Sequence, residues 1–343
     1  MTSSRRILRV AGSLVLACAA TVATADRVRT TSGSIAGEVV EESRRGVVVE
    51  TDRGRVSAPI GEIVGVIYEG EPVDLARARM SAAGGGFASV IDRLASLDDT
   101  PGLTAAMRRE ADFLRSVSAV RQAIFTGAGA KAAGRDLTAF LRENNDSRFY
   151  YPAVEALADL LADLGRTDTA VKRYRLLVDD GVAPFDAQAR VAIGVAYQRA
   201  ERHEEAVRGF AAALAAVDPE TDLARAAMTG RTVSRAYLGQ ADEALAAARD
   251  AVRSAGEDTT QLAAAYNTLG RVYLAAERPR DALYALLHTD LLYNDDAATH
   301  AEALSLLAAV WRDAGRRAEA DDARERLRRR YARTVWARRV RDG

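Results

Sequence analysis

Small and apolar residues return along this chain at one long interval. Ala170, Ala206, Ala244, Ala282 and Ala320 lie 36, 38, 38 and 38 residues apart. Twelve residues before them stand Ala158, Gly194, Thr232, Gly270 and Ala308, preceded by Leu157, Ile193, Leu269 and Leu307, with Arg231 out of pattern. Three residues further on come Leu161, Tyr197, Tyr273 and Trp311, with Arg235 as the exception. Residues three and four apart share a helix face. Each unit therefore reads as a helix whose small residue admits a second helix and whose bulky residues fill the seam around it. A period of this length marks a repeat architecture, and the fold expected is mostly α, an α-solenoid of stacked helix pairs.

Helix punctuation falls midway through each unit, at Gly165, Glu201-Arg202-His203, Gly239, Glu277-Arg278-Pro279 and Gly315. Capping and breaking residues separate the units: Asp179-Asp180-Gly181 through Pro184, then Asp218-Pro219 through Asp222, and Asn294-Asp295-Asp296. The unit around Ala244 differs, because Tyr237 precedes its alanine by seven residues where Tyr197 and Tyr273 precede theirs by nine; a compressed or shifted turn is expected there. Upstream, Ala76–Ala83, Phe87–Leu97, Leu103–Phe125 and Lys131–Arg142 keep helical periodicity more loosely.

Residues 26–70 change to a strand pattern rich in Val, Ile and Thr. Five segments beginning at Arg27, Ser34, Gly46, Arg55 and Val64 are separated by turn residues at Gly33, Gly46, Gly54 and Gly61. Five short strands need closure to remove free edges, so a small SH3-like or Sm-like barrel is expected. The division predicted is a leader over 1–25, a β-module over 26–70, degenerate helical repeats over 71–149, regular repeats over 150–322, and a basic capping helix over 323–343.

The leader reading rests on Arg5, Arg6 and Arg9, the apolar run Val10–Ala23, too short to span a bilayer, and Ala23-Thr24-Ala25 as a cleavage site. It predicts export to a periplasm or beyond. Cys18, the one cysteine of the chain, offers lipid attachment as a rival, but Leu16 fits the usual lipoprotein pattern poorly.

Leu269-Gly270-x-x-Tyr273 with Ala282, and Ile193-Gly194-x-x-Tyr197 with Ala206-x-x-x-Phe210, resemble the tetratricopeptide repeat family; Ala170-x-x-x-Tyr174 matches its second half. The family's usual period is 34 residues, so slightly longer linkers are expected. The β-module resembles one fused to repeat domains in exported planctomycete-type proteins, through Gly33, Gly37, Gly54, Pro59, Glu62 and Ile63. The first resemblance implies a concave face lined by the first helix of each pair. Carried onto this chain, its positions are Glu155, Asp159, Gln188, Val195, Arg199, Asn267, Arg271, Glu302, Ser305 and Arg312. Partner-binding candidates are Gln188, Arg199, Asn267, Arg271, Glu302 and Arg312. The family's lysine and asparagine carboxylate clamp is not reproduced.

Charge and chemistry narrow the function. Net charge is zero, with 48 basic and 48 acidic residues, so nothing global draws the chain to nucleic acid. From Arg324 to the end there are nine arginines against Glu325 and Asp342. With Leu327, Tyr331, Val335, Trp336 and Val340 interleaved, that stretch reads as one amphipathic basic helix, either a cap on the last repeat or a contact for an anionic membrane surface through residues 324–341. His288 and His300 flank Asp290, Asp295 and Asp296 without metal-ligand spacing. Gly127 to Gly134 lacks the Lys-Ser/Thr of a phosphate loop. No catalytic residue, metal, cofactor or small-molecule substrate is expected. The reading is an exported, non-enzymatic scaffold binding a peptide or protein partner. The alternative is an accessory subunit of a cell-envelope assembly tethered through the β-module or the basic helix; a hydrolase hidden on the scaffold stands third.

Overall fold

A computed structural model describes residues 25–97, 100–332 and 334–342. Cys18 and all of the expected leader except Ala25 lie outside the described residues. Every strand among the described residues falls between Arg27 and Ile67: β1 Arg27–Thr30, β2 Gly33–Ala36, β3 Glu38–Ser43, β4 Gly46–Thr51, β5 Gly54–Pro59 and β6 Ile63–Ile67. They make two antiparallel three-stranded sheets, in the orders β2-β1-β6 and β3-β4-β5. There are six strands where the hydrophobic pattern gave five, because the segment from Ser34 breaks at Gly37. A Cβ on Gly37 would lie 2.1 Å from the Glu50 carbonyl oxygen, and its N–H donates to Asp26 O. That close approach requires glycine and passes the chain from one sheet to the other.

The helices are α1 Val73–Ala83, α2 Phe87–Ala95, α3 Ala105–Thr126, α4 Ala130–Glu143, α5 Tyr150–Asp163, α6 Thr167–Asp180, α7 Phe185–Arg199, α8 His203–Leu214, α9 Asp222–Tyr237, α10 Ala241–Ser254, α11 Thr259–Ala275, α12 Pro279–Leu291, α13 Ala297–Asp313, α14 Arg317–Tyr331 and α15 Val335–Asp342. The five period-marking alanines are all 2% exposed or less. Their neighbours explain the small residues facing them. Phe210 wedges between α7 and α9, where a Cβ on Gly194 or Gly230 would fall 2.5 or 2.2 Å from its ring; one on Gly270 would fall 2.8 Å from Leu286.

Each pair turns through a left-handed residue: Gly165, Glu201, Gly239, Glu277 and Gly315, with φ of 71, 58, 84, 55 and 72°. Each stands five residues before its alanine. The turn before Ala244 is therefore neither compressed nor shifted, which corrects the sequence expectation. Tyr237 is simply not on the stripe: it is exposed and stacks on His203 at 4.5 Å. Arg235 holds the stripe position instead.

The β-module has no core of its own. Val28, Val47, Val49, Val66 and Tyr68 pack in one cluster with Leu75, Val90, Leu94 and Met107 of α1–α3. Beside it Arg148, 6% exposed, donates to Glu110 Oε2 at 2.6 Å, to Tyr68 Oη at 2.9 Å and to Glu42 Oε2 at 3.3 Å. Arg79 joins through Glu110 at 2.6 Å and Glu71 at 3.0 Å. Burial raises the Tyr68 phenol above its ordinary range, partly offset by Arg148. The carboxylates of β3 and α3 thus share cations from α1 and from the residues before α5, which ties sheet to solenoid.

The stretch after Arg324 is not one helix. It divides into α14, the second member of the last pair, and α15. Thr334 marks the break: its N–H donates to Tyr331 O and its hydroxyl accepts from Ala337 N at 3.3 Å, a side-chain cap that starts a new helix.

Candidate functional site

Successive first helices (α3, α5, α7, α9, α11, α13) pack on one another, whereas successive second helices are spread apart. That asymmetry curves the array and puts the first helices on its concave side. Three of the residues expected there come together. Asn267 Nδ2 donates to Glu302 Oε2 at 3.1 Å and to Thr299 O at 2.8 Å, while Arg271 Nη1 lies 3.6 Å from Glu302 Oε1. Arg271 also donates to Gln198 Oε1 at 3.0 Å. Gln198 in turn donates to Gly230 O and Ser234 Oγ, each at 2.8 Å. One polar chain therefore runs across α7, α9, α11 and α13, over the smallest residues of α9.

The N-terminal half is acidic. Glu155, Asp159 and Asp163 stand at i, i+4 and i+8 of α5 and so share a face. Asp159 accepts from Arg121 Nη1 at 2.6 Å and from the Tyr174 hydroxyl. Burial, with Asp159 adding to it, lifts the Tyr174 phenol well above its ordinary range. Glu155 has no hydrogen-bonded or ion-paired partner among the described residues. Burial first and the Asp159 charge second raise its carboxyl, with Arg121 opposing.

Asp163 is taken by α15. Arg338 meets its carboxylate at 2.5 and 2.9 Å and also donates to Ile124 O in the last turn of α3. The two side chains are 13% and 15% exposed. Trp336, Ala337 and Val340 join the apolar cluster of α13 and α14, and Val335 reaches the cluster built by α3–α7. The last helix therefore crosses the concave side from the final pair to the first helices of the array.

The other expected positions are dispersed. Gln188 is half-buried with no side-chain hydrogen bond among the described residues, and Ser305 is half-buried. Val195 packs beside Phe210. Arg199 is exposed without a carboxylate partner among the described residues, and Arg312 is exposed and paired with Asp313 at 3.0 Å. Gln198 was missed because the repeat register selected its neighbour Arg199. The Asp163–Arg338 pair joins residues 175 apart, and no local pattern carries such a contact.

The histidines separate. His300 is buried between Asp290 at 2.8 Å and the Tyr331 hydroxyl at 2.7 Å, with Arg326 on the same aspartate at 3.0 Å. His288 stacks on Tyr266 at 4.3 Å, and Asp296 caps α13 through Thr299 N. No cluster of three metal-type ligands occurs among the described residues. Gly127 and Gly129 form the left-handed turn between α3 and α4. An open cleft of about 420 Å³ on the outer side is lined by Arg175, Asp179, Arg190, Tyr197, Glu205 and Arg208 among others, a set without serine, cysteine or histidine.

A curved array of helix pairs with a polar inner strip defines a repeat scaffold. No family model and no curated protein matches the chain. Among solved structures, a tetratricopeptide repeat protein from Parabacteroides merdae superposes with a TM-score of 0.54 at 15% identity, over 75% of this chain and 92% of that one. A Rap protein complexed with competence and sporulation factor gives 0.49 at 12% identity, over 77% and 76%. A tetratricopeptide repeat protein of Thermus thermophilus gives 0.42 at 21% identity, over 57% and 98%. The chain has the fold of the tetratricopeptide repeat proteins.

Proposed function

We propose that this chain is a non-catalytic, exported scaffold that holds a peptide or protein partner on its concave face. The observation that carries the reading is the polar strip Gln198–Arg271–Glu302–Asn267. It presents the Gln198 amide and the charges of Arg271 and Glu302 across three first helices, α7, α11 and α13, with buried Asn267 bracing Glu302, and an extended segment can be read there residue by residue. Export is supported by the leader pattern of residues 1–25. The test is affinity capture from envelope extract with the wild-type chain, with Arg271→Ala and Glu302→Ala, and with Arg208→Ala on the outer side. A protein retained by wild type and Arg208→Ala but lost by both groove variants supports the reading; equal retention by all four overturns it. The second reading is an accessory subunit of a cell-envelope assembly tethered through the β-module or the basic helix; the module would then offer a surface fixed to the solenoid, because it shares its core with α1–α3. Arg328, Arg329 and Arg330 stand exposed at the end of α14 and would mediate any contact with an anionic membrane. Salt-sensitive co-sedimentation with anionic vesicles, lost when all three become Gln, would support it.

A further inference from the structure

Isolated helices shorter than about 12–15 residues are marginal in water. At eight residues, α15 owes its helicity to where it docks. Its principal polar anchor is Arg338, seated on Asp163 and Ile124 O. These atoms belong to the C-terminal turns of α5 and α3, whose dipoles favour a cation as well. Its apolar anchor is Trp336, Ala337 and Val340 against α13.

The fit is incomplete on both sides. Arg339 is exposed and forms no ion pair among the described residues, its guanidinium resting 4.8 Å over the Trp336 ring; Arg199 and Arg271 act on it unfavourably and Asp163 favourably. Glu155, two turns along α5 from Asp163, is left without an ion pair among the described residues, because the nearby Arg121 pairs with Asp159 instead. The resident helix thus pairs with one carboxylate, leaves another unpaired, and keeps one arginine exposed.

Resting on the scaffold reading above, we propose that the strip from the C-terminal ends of α3 and α5 to α13 is the docking surface for a partner's basic amphipathic helix, and that α15 occupies it until that partner arrives. The partner's helix carries an aromatic residue and, two positions on, an arginine for Asp163, as Trp336 and Arg338 do. It adds a second cation for Glu155. Charge complementarity and the seated α15 select this occupant.

The probe is a labelled peptide of residues 334–343 titrated into four full-length chains: wild type, Arg338→Glu, Asp163→Arg, and the double variant. Thermal melts confirm that each is folded. Arg338→Glu frees α15 by charge repulsion yet keeps the receptor, so it should bind the peptide about tenfold tighter than wild type. Asp163→Arg also frees α15 but removes the receptor carboxylate, so its binding should fall at least tenfold below that of Arg338→Glu. The double variant re-forms the pair in reverse and should return to wild-type weakness. Equal binding by wild type and Arg338→Glu overturns the proposal, as does tight binding by Asp163→Arg. Sedimentation of Arg338→Glu as an exchanged dimer would assign the strip to a second copy and overturn the partner. If Arg271→Ala loses a captured protein while Arg338→Glu leaves peptide affinity unchanged, the scaffold reading stands and this proposal alone falls.

Discussion

Two glutamates sit where the repeat wants glycine. Glu201 and Glu277 hold φ of 58 and 55° at the turn that Gly165, Gly239 and Gly315 occupy in the other pairs. A side chain in the left-handed region costs about 1–2 kcal/mol, against about 0.5–1 kcal/mol for the backbone freedom glycine loses. Glu277→Gly should therefore leave stability unchanged or raise it by about 1 kcal/mol, read as the midpoint of a thermal or urea melt; a clear loss would mean the glutamate makes contacts that offset its strain. Glu155 gives a pH test. Its carboxyl is raised in the fold by burial and Asp159, so the folded state binds the proton more tightly than the unfolded chain. Its contribution is favourable below the ordinary value of 4.5 and is lost as pH rises through the folded value. Glu155→Gln should stabilise at pH 7 and lose that advantage below about pH 4; an advantage that persists at low pH would point to packing instead.

Among the elements, the long beat of alanines and glycines was legible because one physical demand repeats: two helices must approach within a methyl group of each other. Ala282 lies in the seam with Val233, Ala236, Leu245 and Val272. Ala282→Leu should cost about 1–3 kcal/mol by overpacking. Because Ala282 belongs to a different cluster from the β-module, hydrogen exchange should accelerate in α9–α12 and stay unchanged in β1–β6. A silent Ala282→Leu would remove the register from which the inner residues were read. The register served well for Asn267, Arg271 and Glu302, which converge. It failed at Tyr237, whose aromatic character disguised a surface position, and at Arg235, whose charge disguised a stripe position. The break at Gly37 was not legible in the strand pattern, since what demands glycine there is the carbonyl of Glu50 on another strand. Nor was the division after Tyr331, since arginines run through both helices and only the hydroxyl of Thr334 separates them.

At the scale of the whole molecule, the sheets and the first helices form one unit bound by a shared core and the buried Arg148 cluster. Arg148→Ala would strand Glu42 and Glu110 without their central cation, and losing one side of a buried ion pair costs about 3–5 kcal/mol. The expected result is a lower melting temperature with β1–β6 and α1–α3 losing protection together; a module that melts independently would refute the common core. The contact between α15 and the ends of α3 and α5 has a different consequence. An open row of repeats can fray from either end, each unit yielding on its own because it leans only on its neighbours. Arg338 on Asp163 turns the row from α5 to α15 into a circuit, so loosening any unit within it is felt at the clasp. Melting of the repeats from α5 to α15 should then be concerted in the intact chain and should broaden into separate steps in Asp163→Ala. Cooperativity in this protein would reside less in its repeats than in the eight residues that bring its last helix back to α3 and α5.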